Sequence, residues 1–132
     1  MSRENVEALR SAYDGWAVGD MSAGMGLFDA DVVYISDDQE PSPGPHYGLD
    51  ALNRYTRAWV ENLNDWSMTA LEYRPVESHV LVRVRLSARG RESGMEIAGE
   101  RFHVFSFRGG RIIRFEVFRE ERDALEAVGL AE

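Results

Sequence analysis

The sequence predicts an α+β domain in which amphipathic helices precede a curved antiparallel or mixed sheet. Two observations predict it. Apolar residues recur at helical spacing in the first half and switch to a period of two from Trp66 onward, and the late strand runs follow one another with no helix between them. At 132 residues the chain is long enough to bury a real core as one domain, taken as 1–132, and no repeat or low-complexity tract divides it.

Taken in order, Val6, Leu9, Tyr13 and Trp16 stand three and four apart in residues 2–18, which makes a helix with one buried stripe, stopped at Gly19. A short second helix is expected over 21–28, ahead of the β-branched and aromatic strand run at 32–35. Residues 36–48, SDDQEPSPGPHYG, contain three prolines and two glycines, a composition that opposes regular structure and predicts a loop. Leu52, Tyr55, Trp59 and Leu63 repeat the helical stripe over 49–63, with Asp50 favourable in the first turn. Strand runs follow at 66–74, 79–89, 95–107 and 111–118, joined by glycine-bearing turns at 90–94 and 109–110. RDALEAVGL closes the chain as a short helix. A curved sheet with three helices on its concave side leaves a cavity at the wide end, which Tyr13, Trp16, Phe28, Tyr55 and Trp59 line or floor.

Composition removes several chemistries. There is no cysteine, hence no disulfide, thiolate metal site or thiol nucleophile, and the simplest compartment is the cytoplasm. All 15 basic residues are arginine, which excludes lysine Schiff-base chemistry. The net charge of −8 disfavours nucleic acid as a partner, and the basic stripe Arg83, Arg85, Arg89 and Arg91 reads as a solvated strand edge. No apolar stretch is long enough to span a membrane. His46, His79 and His103 lie on different elements without paired spacing, so no metal is expected, and the absence of a glycine-rich phosphate loop leaves no expected cofactor.

The element order, together with GD followed by LFDADVVYI, a proline-rich loop into HYGLDAL, HVFSFRGGRIIRFEVF and the terminal ALEAVGL, resembles the nuclear transport factor 2-like (cystatin-like) superfamily. Within it the chain is similar to the SnoaL-like polyketide cyclases. The resemblance implies a cone-shaped sheet wrapped around three N-terminal helices, and a superfamily of cofactor-free isomerases, cyclases, dehydratases and epoxide hydrolases beside binding domains. It places the general-base carboxylate of ketosteroid isomerases at Ile35, which cannot take a proton. The tyrosine of their first helix falls beside Ala12, one residue from Tyr13, and their oxyanion-holding aspartate falls at His103. The polar residues of limonene epoxide hydrolases fall at Val84, Leu86 and Val117, all apolar here. Both comparisons put Phe115 and Val117 on the cavity face of the last strand.

The hairpin at 108–110 then decides where His103 points, because a slip of one residue turns a strand over. A three-residue loop sets His103 opposite Phe115 and facing the cavity, with Arg101. A two-residue Gly109-Gly110 loop sets it opposite Glu116 on the other face. We favour the first, which agrees with the isomerase placement. Asp37 follows Val33 and Ile35 at strand spacing and is the second candidate acid–base group at the mouth, the alternative being a turn former.

Three functions remain open: a cofactor-free proton-transfer enzyme with His103 and Asp37 as catalytic residues, a ligand-binding or accessory protein that keeps the pocket, and, less favoured, an interaction domain that works through the outer face of the sheet. In the first two, Tyr13, Trp16, Ile35, Tyr55, Trp59, Val84, Phe115 and Val117 contact a small hydrophobic ligand. Phe102, Val104 and Phe118 alternate with the cavity-facing residues, and their burial is expected to come from a homodimer through the outer sheet face.

Overall fold

A computed structural model describes residues 2–40 and 42–130. Helix α1 (Ser2–Trp16) is followed by strand β1 (Phe28–Ile35), the two-residue strand β2 (His46–Tyr47) and helix α2 (Leu49–Glu61). Four long strands come next: β3 (Leu63–Val76), β4 (His79–Gly90), β5 (Glu96–Arg108) and β6 (Arg111–Phe118). Helix α3 (Glu121–Ala127) follows them. The six strands form one sheet in the order β2-β1-β6-β5-β4-β3. The late strands are the predicted antiparallel meander, and the sheet is mixed because β1 runs parallel to β6. No described helix is long and apolar enough to cross a membrane.

Only one α-helix precedes β1, so the expectation of three N-terminal helices is corrected. The segment 21–28 is a turn ending in a single 3-10 turn, Met25–Leu27. Asp20 is the cause: its carboxylate takes both the Ser22 backbone N–H (3.1 Å) and the Ser22 hydroxyl (2.6 Å), closing a side-chain turn in place of helical bonds. Gly24 then adopts φ 75°, and a Cβ there would lie 2.5 Å from the Ala12 methyl. Glycine thus reverses the chain while letting it lie against α1. The expected 36–48 loop is likewise interrupted, since Tyr34 and Val33 pair with His46 and Tyr47.

Alternation along the strands splits the apolar residues into two sets. Val80, Val82 and Val84 of β4 face Phe105, His103 and Arg101 of β5 on the side covered by α1 and α2, where Leu9, Val32, Leu52 and Ile112 are also fully buried. On the opposite face Leu81, Phe102 and Val104 are buried against Ala124 and Val128, with Phe118 and Leu125 at the margin. Helix α3 and the residue after it therefore cover the apolar patch that was expected to be buried by a second copy of the chain. Further along that face the exposure is charged, with Arg83 bonded to Glu100 at 2.9 Å.

Candidate functional site

The β5–β6 hairpin sets the site. Arg108 pairs with Arg111, so the loop is the two-residue Gly109-Gly110, both at positive φ (58° and 80°), the geometry that suits the twist of a tight hairpin. The next pairs are Phe107 with Ile112 and then Ser106 with Arg114, which leaves Ile113 as a β-bulge. The extra residue restores the parity that the short loop removes. His103 consequently lies opposite Val117, and Phe105 opposite Phe115. Neither predicted pairing holds, but the inward orientation of His103 does.

His103 is 4% exposed, and its Nδ1 lies 2.6 Å from the Tyr13 hydroxyl. Burial first, and the nearby Arg101 charge second, push its pKa down to about 3, so the imidazole is neutral at physiological pH. Burial also holds the Tyr13 phenol protonated, raising its pKa well above the ordinary value. Among the described residues, the only acceptor for that phenol proton is His103 Nδ1. With the phenol protonated and the imidazole neutral, one proton lies between the two groups; where Tyr13 donates it to Nδ1, the ring proton sits on Nε2 and meets no acceptor among the described residues.

A cavity of about 500 Å³ opens beside this ring. Its body is apolar, formed by Trp16, Met21, Met25, Phe28, Leu52, Trp59, Met68, Leu86, Val84, Phe115 and Val117. One side is polar, where Ser36, Asp37, Glu40, Tyr55, Arg101 and Arg119 meet. Tyr55 donates to Glu40 Oε1 at 3.2 Å, which ties the loop after β1 to α2. Asp37 is buried, and its Oδ1 accepts from Arg119 Nε (2.8 Å) and from the Gln39 backbone N–H (2.9 Å). Its Oδ2 faces Arg101 Nε at 3.9 Å. Asp37 is thus both the predicted turn former and the counter-charge of two arginines.

Of the residues expected at the ligand, Trp16, Tyr55, Trp59, Val84, Phe115 and Val117 line the cavity together with His103 and Asp37. Tyr13 does not; it stands behind His103 and orients it. Ile35 does not either, because strand alternation turns it from the cavity while its neighbours Tyr34 and Ser36 face in. His46 stacks against Tyr34 and lies tilted against Tyr55 (centroids 6.1 and 5.1 Å), and it donates Nε2–H to the Ser42 carbonyl (2.7 Å), outside the cavity wall. His79 is engaged with Ser106 at 2.9 Å.

Arg119, Glu40 and the three methionines were not anticipated. Arg119 meets Asp37 across 82 positions of sequence, and no local pattern signals such a pair. The methionines carried a weak signal: Met21 and Met25 stand four apart in the segment misread as helix, and Met68 alternates with Trp66 and Ala70.

The family model of the SnoaL-like domain matches residues 9–115, from within α1 to the strand that carries Phe115. The chain belongs to the SnoaL-like domain family. Solved structures extend the likeness over the whole fold. Bal32a, from a soil-derived mobile gene cassette, superposes with a TM-score of 0.80 at 20% identity over 96% of this chain and 97% of its own. An NTF2-like protein of unknown function from Burkholderia pseudomallei K96243 gives 0.78 at 16% identity, covering 96% and 98%. A candidate SnoaL-like polyketide cyclase from Jannaschia sp. CCS1 gives 0.76 at 16%, covering 99% and 94%. At these identities the likeness is one of fold. No curated protein matches the chain. SnoaL-like membership accounts for the curved mixed sheet and its helices, and leaves the chemistry to the residues described above.

Proposed function

We propose that this SnoaL-like domain binds a hydrophobic, ring-bearing small molecule and holds one of its oxygens through the Nε2–H of His103. The observation that carries this reading is a neutral imidazole, hydrogen-bonded to Tyr13 through Nδ1, on the apolar part of a cavity wall that turns polar on one side. A desolvated donor of fixed direction discriminates strongly between a ligand that supplies an acceptor and one that does not. Trp16, Trp59 and Phe115 supply the flat apolar surface, and the methionines adapt it to shape.

The test compares acetylnaphthalene with ethylnaphthalene by tryptophan fluorescence. The ketone is expected to bind roughly tenfold more tightly than the hydrocarbon, the worth of one buried hydrogen bond. In His103→Asn, which keeps an acceptor for Tyr13 but whose shorter amide does not reach the position of Nε2, that preference disappears. Equal binding of both compounds to the unaltered protein would defeat the assignment.

Catalysis is the second reading, favoured by the same donor. A neutral N–H aimed at a carbonyl oxygen stabilises the oxyanion that forms on enolisation, without cofactor, as isomerisation, cyclisation and dehydration require. Asp37 has Oδ1 taken by Arg119 and the Gln39 amide. Glu40, also on the cavity wall, is the second carboxylate of that side, with Oε1 taken by the Tyr55 hydroxyl.

A further inference from the structure

We propose that the occupant of the cavity carries two neutral acceptor oxygens, and that Trp16 holds the second of them through its indole Nε1–H. This rests on the pocket reading above and adds a second polar contact to it.

Beside the Nε2–H of His103, one more buried donor has no partner among the described residues, the Nε1–H of Trp16. Native folds rarely leave such a group unmet, because burial strips it of water and nothing returns the lost hydrogen bond. Trp16 is only 3% exposed, and an indole offers one N–H and no acceptor. Its neighbours in the fold do not serve it. Tyr13 meets the ring with centroids 4.7 Å apart and planes at 82°, and an aromatic face is a weak acceptor. Cζ2, next to the ring carbon that carries Nε1, lies 3.5 Å from the point a Gly24 Cβ would occupy, so this edge of the indole faces the turn at 21–28. In that turn the carbonyls of Asp20, Ser22 and Gly24 are taken by the backbone N–H groups of Ala23, Met25 and Leu27.

The same turn contributes Met21 and Met25 to the cavity wall, on which Trp16 also lies. The orphan donor thus sits at the seam of turn and cavity, and the unbranched, flexible side chains of the two methionines let an occupant reach it. This part of the wall is apolar. A hydrocarbon group there leaves the N–H unmet, while an ionised oxygen would lose its water for a single donor in return. A carbonyl or ether oxygen matches it. With His103 taking the other oxygen, the fitting class is a ring compound bearing two such groups.

Acetylnaphthalene and the set of diacetylnaphthalene isomers test this by nuclear magnetic resonance, followed through the indole N–H signals of the isotope-labelled protein. At least one diketone is expected to bind about tenfold more tightly than the monoketone, the worth of a second buried hydrogen bond. It should also move the Trp16 signal downfield while that of Trp66, which is off the cavity wall, stays in place. Trp16→Phe weakens mono- and diketone together by the surface it removes, but abolishes the ratio between them. The signal is read in the unaltered protein, so it decides the matter even if Trp16→Phe does not fold. A Trp16 signal displaced upfield by lying over the Tyr13 ring overturns the inference, and so does one that no diketone moves, as when a bound water is its partner. A tenfold gain that survives in Trp16→Phe overturns it equally. With acetylnaphthalene still bound, these outcomes spare the pocket reading; failure of every compound to bind takes both down.

Discussion

Lowering the pH from 6.5 to 4 removes about 3 kcal/mol of folding stability through His103 alone, and His103→Asn abolishes that part of the slope. The imidazole titrates near 6.5 in the unfolded chain but near 3 in the fold, where burial and Arg101 oppose its charge. Between those values the unfolded state binds a proton that the native state does not, so stability rises with pH across the window and is fully present above 6.5. Below about 3 both states are protonated and the contribution levels off. Urea melts of the two proteins at several pH values isolate the difference, since the carboxylates are common to both. Parallel slopes would mean that the ring accepts its proton inside the fold, and the neutral donor would be lost as a premise.

Truncating Phe105 to alanine is expected to cost about 3–5 kcal/mol, the range for removing a fully buried aromatic ring. Phe105 is 0% exposed and stacks on Phe115 with centroids 4.5 Å apart and planes at 11°. Its ring also meets the edges of Tyr13 (6.2 Å) and His103 (6.1 Å). The loss therefore combines transfer energy with the removal of the surface that keeps the Tyr13–His103 pair in place. Phe105→Leu should retain most of the stability but weaken ketone binding, because the imidazole is less firmly oriented. Chemical denaturation of the two variants measures this, and a loss under about 1 kcal/mol for alanine would show that the neighbouring rings close over the gap.

Much of the fold was legible because it is written in periodicity. The stripe Val6, Leu9, Tyr13, Trp16 and the alternation along 79–89 and 111–118 each have one physical solution, a helix or a strand with a single buried face. The segment 21–28 misled for the same reason, since Met21 and Met25 mimic a helical stripe while Asp20 and Gly24 act through local hydrogen bonds and backbone angles that a period does not express. The outer apolar set, Phe102 and Val104, was correctly seen as needing cover. Its cover was sought in a second chain because the packing direction of a seven-residue helix after the last strand is not a sequence property.

The candidate site was legible in part. His103 could be singled out as a polar residue in an apolar strand, and the aromatics of α1 and α2 as cavity walls. Its orientation depended on a bulge at Ile113 that two consecutive isoleucines conceal, since either can serve a buried face. Arg101 and Asp37 were singled out from the sequence, whereas Arg119 was not, and nothing joined the three as a cluster.

By itself, then, the amino-acid order determined which segments are helix or strand, which chemistries are excluded, and the family to which the chain belongs. The tertiary structure alone decided that Tyr13 backs His103, that Ile35 turns away, and that two arginines share one aspartate at the cavity. The reason is one of range: backbone periodicity and turn chemistry act over a few residues, whereas burial, proton placement and charge balance are set by groups that only folding brings within a few ångströms.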